Sequence, residues 1–318
     1  MGKNAAPQKF LKLMMTAALI TAVFSFMDTG VLIDALKTMT WPVVVLCVAA
    51  EVIYYGVESI RIHFLTHGRY GVWLIFKTRM ASVFAGNLLP GVAGSEALRW
   101  LMLERAVSGF KVRLALELMA SRLFGLIALL LMAVHPVGER LGGYGIEALL
   151  LAIVIILFCF FANDSHQGRS IRLFAVRSFR QLNSKGIRKV ARTIYLSLQV
   201  ATEWRVGLIA LITSVITTFI AIGEFYWFGK ALGAEVSFNQ WMWLVPLSAV
   251  ATFLPLGVGA VGTQDAALLI AAKALSIPVE GVIATSVSIH VLRILGTIPG
   301  AVFWLLPSSQ VTGNRVNS

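Results

Sequence analysis

Seven ionisable residues stand inside stretches that are otherwise apolar: Glu51, Glu58, Glu117, Arg122, Glu224, His290 and Arg293. A charge at the centre of a bilayer costs about 2.5–3.5 kcal/mol on insertion scales, so such residues face the interior of a helix bundle. Glu51 and Glu58 are seven apart and share one helix face, with Tyr54 and Tyr55 beside them. His290 and Arg293 are three apart and share another. The acids and the histidine are candidates for proton or ion coupling. The arginines are fixed cationic forks suited to phosphate oxygens. The competing reading is that acids and arginines pair with one another and lock the bundle.

A second set of residues interrupts the apolar pattern. Residues 86–99 read GNLLPGVAGSEALR, and residues 254–266 read LPLGVGAVGTQDA. Both hold Leu-Pro, then G-x-x-G, then a hydroxyl, an acid and an alanine. Proline ends a helix by steric clash and by its missing N–H. The glycines permit a tight reversal. Ser95 and Thr263 suit the N-cap of the helix that follows, which places Glu96 and Asp265 in its first turn, near the positive end of the helix dipole. Backbone N–H groups there point at any anion. The expected substrate-binding set is therefore Asn87, Pro90, Gly91, Gly94, Ser95, Glu96 and Arg99, with Arg122, and from the second half Gly259, Gly262, Thr263, Asp265 and Arg293.

The elements that must hold these residues follow from composition. The 318 residues are 58% hydrophobic. Residues 206–223 and 241–262 carry no charge at all, and a run of 18 or more such residues crosses a hydrocarbon core of about 30 Å as a helix. The alternating ten-residue strands of a membrane barrel are absent from the sequence. The expected fold is an all-α polytopic membrane protein. Spanning helices are expected at 10–27, 41–60, 114–134, 146–162, 206–229 and 281–305. The longer interrupted stretches 72–110 and 241–275 are expected to form two re-entrant hairpins. The chain reads as one integral membrane domain, 1–318, with halves 10–162 and 206–305 around a loop at 163–205.

Net charge is +12, which in a soluble protein would suggest nucleic acid. Here 21 of 27 Lys and Arg fall in 1–12, 61–79, 98–113, 163–205 and 307–318. These segments share one side if the N-terminus is cytoplasmic, so the positive-inside rule places both termini in the cytoplasm. Loop 163–205 interleaves eight basic residues from Arg169 to Arg192 with apolar ones, as in amphipathic helices on an inner leaflet or a solvated topology signal. With this topology the first hairpin enters from the cytoplasm and the second from outside. Two like motifs of opposite polarity make an inverted repeat, the arrangement in which transporters build a midplane site. Such a turn survives in lipid only where protein or a wet cavity surrounds it.

Other signals are bland. Lys3, Lys9 and Lys12 before an apolar run imitate a signal peptide, but no small-x-small cleavage site follows, and the run reads as an uncleaved first span. Cys47 and Cys159 read as small buried hydrophobes. His63 and His67, four apart, have no third ligand nearby, so no metal is expected. Trp41, Trp73, Trp100, Trp241 and Trp243 lie near expected span ends and read as interface anchors.

The stretch 86–105, GNLLPGVAGSEALRWLMLER, resembles the lysylphosphatidylglycerol synthase transmembrane (flippase-like) family. LPLGVGAVGTQDAALL, followed by Arg293 and Gly296, resembles that family's second motif. The resemblance extends over essentially the whole chain. It rests on Asn87, Pro90, Gly91, Gly94, Glu96, Arg99 and Arg122, then on Pro255, Gly259, Gly262, Asp265 and Arg293. Asp265 replaces the family's usual Glu, and Leu123-Phe124-Gly125 stands where members usually carry an acid after the arginine.

The resemblance implies movement of a lipid or lipid-linked substrate between leaflets of a bacterial-type cytoplasmic membrane. The expected partners are phosphate-bearing membrane lipids, either phospholipids or polyprenyl-linked carriers, and no nucleic acid. Only residues 307–318 follow the last expected span, so the aminoacyl-transfer reaction of the full synthases is not expected, nor is a cofactor. No G-x-x-x-x-G-K-[ST] motif occurs, so an ion gradient, the membrane potential or the lipid's own gradient must supply any drive. Two other functions fit the residues. One is secondary transport of a small soluble anion, which uses inverted hairpins and buried arginines equally well. The other is an intramembrane enzyme acting on a lipid phosphate, which lacks an H-E-x-x-H or G-x-S-x-G motif.

Overall fold

A computed structural model describes residues 41–86, 91–141, 203–251 and 263–305. All of the regular structure among them is helical: α1 (Trp41–Leu65), α2 (Val72–Gly86), α3 (Gly91–Ala106), α4 (Lys111–Leu141), α5 (Trp204–Ala231), α6 (Phe238–Ala251), α7 (Thr263–Ala274), α8 (Val279–Thr297) and α9 (Pro299–Leu305). The expected spans 10–27 and 146–162, nearly all of the basic loop, and Asn87, Pro90, Pro255, Gly259 and Gly262 lie outside the described residues.

Four segments are long and apolar enough to cross a membrane: Trp41–Leu65, Lys111–Met132, Trp204–Ala231 and Val279–Thr297. They correspond to the expected spans at 41–60, 114–134, 206–229 and 281–305. The last is corrected at its end. The helix stops at Thr297, and the short α9 begins at Pro299. Proline has no N–H to continue α8 but suits the first turn of a new helix.

Local sequence explains the other ends. Ser237 and Gln240 form a reciprocal capping box at the start of α6. The Ser237 N–H donates to Gln240 Oε1 at 2.8 Å, and the Gln240 N–H donates to Ser237 Oγ at 3.3 Å. Helix α5 ends where Gly233 takes φ +76°. The Ala234 N–H then reaches back to Gly229 O at 2.8 Å, a Schellman closure.

Helix α5 packs along α1 and also touches α4, α6 and α8. Its buried face carries Gly207, Ala210, Thr213, Ser214, Thr217 and Thr218. Small residues let membrane helices approach closely, and these hydroxyls return to backbone carbonyls of their own helix, as Ser214 does to Ala210 at 2.7 Å. The opposite face shows Ile212, Ile216, Phe219 and Trp227, as a lipid-facing surface requires.

The two Pro/Gly-interrupted stretches each form a pair of helices packed on one another, α2 with α3 and α6 with α7. The first pair is closest at Gly86 and Ser95, where a β-carbon on Gly86 would overlap both Cα and Cβ of Ser95. Helix α9 crosses α2 at a similar contact, Gly300 against the Met80 carbonyl. The main apolar core gathers Phe225, Phe228, Trp241, Leu244 and Ile289. Trp241 and Trp243 are therefore core residues, not interface anchors. Trp241 lies 5.2 Å from the Phe225 ring. Trp41 and Trp73 are exposed at the surface.

Candidate functional site

Glu58 sits in α1 with Oε1 2.9 Å from Arg99 Nη1 of α3 and Oε2 2.7 Å from Arg79 Nε of α2. The Arg79 contact is close in charge but poorly aligned as a hydrogen bond, since neither atom gains a hydrogen-bond partner by it. Arg79 also donates through Nη1 to Glu96 Oε1 at 2.6 Å. Arg122 of α4 reaches the same Glu96 oxygen at 2.9 Å. Arg61, one turn beyond Glu58, lies 3.8 Å from its Oε1 and donates to Ser121 and Ser214 at 2.9 and 2.7 Å. Helices α1, α2, α3 and α4 thus converge on four guanidiniums and two carboxylates.

The arithmetic of that cluster is its main property. Among the described residues, four positive and two negative groups leave an excess of two positive charges in this cluster. Arg99 is 1% exposed, and among the described residues its Nε and Nη2 have no hydrogen-bond partner. A buried charge with unmade hydrogen bonds is costly. An anion with several oxygens in this place would satisfy both unmatched donors and the excess charge. Arg122, with a side chain 35% exposed, is the most accessible member.

A second cluster forms on α8. Arg293 Nε donates to Glu51 Oε1 of α1 at 2.9 Å, and its Nη2 lies 3.8 Å from Glu224 Oε2 of α5. The guanidinium also lies 5.8 Å from the Phe225 ring centroid. One and two turns earlier on the same face, His290 and Ser286 meet Asp265 of α7. His290 Nε2 is 3.1 Å from Asp265 Oδ1, and the Ser286 hydroxyl donates to that oxygen.

The sequence-derived residues sort as follows. Glu96, Arg99, Arg122 and Glu58 come together in the first cluster, and Asp265, Arg293, Glu51, Glu224 and His290 in the second. Asp265 lies in the first turn of α7, which begins at Thr263. Ser95 is not an N-cap. Helix α3 already begins at Gly91, so Ser95 and Glu96 lie in its second turn, with Gly94 beside them. Ser95 instead packs on Gly86. Glu117 stands apart from both clusters. Arg69 holds both its oxygens, at 3.0 and 3.1 Å, and Arg113 donates to it at 3.1 Å. Arg69 in turn lies 4.4 Å from the centroid of the Phe110 ring.

Sequence reasoning missed Arg61 and Arg79, which it counted as cytoplasmic loop charges. Both are buried. A signal existed for each: Arg61 is three residues after Glu58, on the same face, and Arg79 lies within an apolar run that continues to Phe84. His63 is tied to the backbone, with Nδ1 donating to the Tyr70 carbonyl at 2.7 Å. The described residues contain no group of three or more side chains able to hold a metal.

No curated protein and no solved structure matches the chain. One family does, described as the lysylphosphatidylglycerol synthase TM region, and the match covers residues 9–300. It takes in every described helix up to the start of α9, both interrupted stretches and both charge clusters. The chain is an integral membrane protein that belongs to the lysylphosphatidylglycerol synthase transmembrane-region family.

Proposed function

We propose that this protein is a lipid translocase that moves a phosphate-bearing lipid, a phospholipid or a polyprenyl-linked carrier, between leaflets. The observation that carries the reading is the buried excess of two positive charges around Arg99, whose Nε and Nη2 have no partner among the described residues. A phosphate diester presents two non-bridging oxygens that share one negative charge to such donors, and planar guanidiniums match that geometry. Arg122 receives the headgroup, and Arg79, Arg99 and Arg61 hold it. The acyl or prenyl tail stays in the hydrocarbon.

Membership of a membrane family of the lipid-handling kind supports this reading. So do the helix lengths. At 1.5 Å per residue, α2, α3, α6 and α7 are each about 18–24 Å long, short of a core of about 30 Å. In the proposed arrangement each packed pair enters the membrane and leaves by the same side, α2–α3 from the cytoplasm and α6–α7 from outside. The pairs form an inverted repeat around the headgroup path. Removing the three buried arginines, Arg61, Arg79 and Arg99, from the inside count leaves 18 Lys and Arg there. That still exceeds the four outside, Lys37, Arg140, Lys230 and Lys273, so both termini are assigned to the cytoplasm of a bacterial-type cell. The protein acts without a catalytic step or a cofactor.

The test is reconstitution into vesicles with candidate anionic lipids and a leaflet-accessibility assay. Transfer by the wild type that falls at least about tenfold in Arg122→Ala, roughly one lost charge-assisted contact, supports the reading. Undiminished transfer by both Arg122→Ala and Arg293→Ala removes the arginines from it. Uptake of inorganic phosphate without movement of any lipid replaces it with transport of a soluble anion.

A further inference from the structure

The arginine cluster accounts for an anion but not for the carboxylates gathered two turns away along α1. Glu51 and Glu224 share a single guanidinium, that of Arg293. Glu51 takes the close contact at 2.9 Å, and Glu224 is left at 3.8 Å. Glu224 Oε1 is buried and has no hydrogen-bond partner among the described residues. Both carboxylates are nearly shut off from solvent, at 5% and 7% exposure. Among the described residues, two negative charges and one positive charge leave one negative charge uncompensated.

Among the described residues, the neighbours of Glu224 offer no second cation. From α1 it faces Cys47 and Glu51, and from α8 Arg293. Helix α6 has no ionisable side chain along its length. On α4, Arg122 is engaged with Glu96, and Glu117 with Arg69 and Arg113. His290, three residues before Arg293, is engaged with Asp265 on α7. Tyr54 and Tyr55 of α1 are coupled electrostatically to Arg293 and Glu51, and neither supplies positive charge.

We propose that Glu224, opposite Glu51 across Arg293, is a proton-binding site whose loading is coupled to movement of the anionic headgroup. The proposal rests on the lipid-translocase reading above. A proton taken from water on one side adds to Glu224 Oε1, neutralises the group and leaves Arg293 paired with Glu51. The proton returns to water on the other side, and no other bond changes.

The coupling follows from placement on α1. Glu51 and Glu58 lie on one face of that helix, seven residues and about 10 Å apart along its axis. Glu58 belongs to the arginine cluster. Between them the Tyr55 ring lies 5.4 Å from the Arg79 guanidinium. Across such a distance in a water-poor interior, charges interact with little screening. An anion at the arginines and a proton at Glu224 therefore favour each other's binding, and that coupling is reciprocal. Headgroup and proton travel together. With one proton per headgroup and no membrane potential, the lipid collects in the leaflet facing the alkaline side, about tenfold per pH unit.

The experiment has two readouts. Infrared difference spectra of the purified protein between about pH 5 and about pH 9 report the carboxylic-acid carbonyl band, which needs no substrate. Vesicles of phosphatidylcholine containing a small fraction of phosphatidylglycerol, held at zero potential under a pH step, report the leaflet distribution. The expected result is a protonation band in the wild type that is missing in Glu224→Gln and displaced in Glu224→Asp, with phosphatidylglycerol gathered on the alkaline side. If Glu224→Gln does not fold, the displaced band of Glu224→Asp makes the assignment. A wild type without the band, or a band that survives Glu224→Gln, overturns the site. Phosphatidylglycerol that moves but ignores the pH step overturns the coupling. A band assigned to Glu224 with no lipid movement keeps the proton site and overturns the translocase reading instead.

Discussion

Arg79 Nη1 lies 2.6 Å from Glu96 Oε1, and this ion pair joins α2 to α3. The same guanidinium lies 2.7 Å from Glu58 of α1 through its Nε. Arg79 therefore makes a close ion pair with both carboxylates of the cluster, each on a neighbouring helix. Breaking a buried ion pair from one side leaves its partner charged and unpaired, at a cost of about 3–5 kcal/mol. Arg79→Ala is expected to unfold well below the wild type in a detergent melting experiment. Arg79→Lys, which keeps the charge but not the fork, is expected to fall between them. A melting point for Arg79→Ala equal to the wild type would remove Arg79 from the scaffold of the site.

Arg99 makes the contrary prediction. Its Nη1 is held by Glu58 at 2.9 Å while Nε and Nη2 are unmatched among the described residues. A ligand that satisfies them adds stability by binding the native state alone. Adding phosphatidylglycerol to detergent-purified protein is expected to raise the melting temperature, and Arg99→Lys is expected to lose most of that rise. A zwitterionic lipid that stabilises the wild type equally would deny the cluster any preference for an anion.

Much of this arrangement is legible in the sequence. The four described spans follow from apolar length alone, and Glu51 with Glu58 follows from helical period. The pairing of helices across each interrupted stretch follows from Pro and Gly. What is not legible is partnership between segments. No acid follows Arg122, since Leu123-Phe124-Gly125 stands there, yet Glu96 of another helix meets it at 2.9 Å. Arg61 lies at the end of an apolar run and Arg79 lies within one, two residues from Lys77, and hydropathy alone does not separate a snorkelling residue from a buried one in either place. Trp241 fails for the same reason. Its position near a span end resembles an interface anchor, and only the packing of α5 on α6 places it in the core. The start of α3 at Gly91 was obscured by Ser95, a residue type favoured at caps but used here for a close helix contact.

Glu117 separates structural from functional acids. It is fully buried, but Arg69 and Arg113 hold it with three hydrogen bonds near the turn between α1 and α2. Glu117→Gln loses the charge of the pair and strands Arg69. A loss of about 3 kcal/mol or more in stability is expected. The response of lipid transfer to a pH step is expected to persist in the folded fraction. A Glu117→Gln protein that melts normally but no longer follows the pH step would put this acid in the coupling path.

The capping box at α6 tests how firmly the second interrupted stretch is anchored. Ser237 and Gln240 exchange two hydrogen bonds at the helix start, and both are exposed rather than buried in the core. Replacing a capping serine by alanine costs about 1 kcal/mol, so Ser237→Ala is expected to lower stability by that amount. The loss is local. Amide exchange is expected to accelerate in the first turn of α6, with little change in α5 or α8. Ser237→Asp restores an acceptor for the Gln240 N–H and adds a favourable charge at the helix start, so it is expected to recover the lost protection. Exchange that rises equally throughout α5, α6 and α8 in Ser237→Ala would mean that this cap is coupled to global unfolding and does not merely fix the entry of one helix.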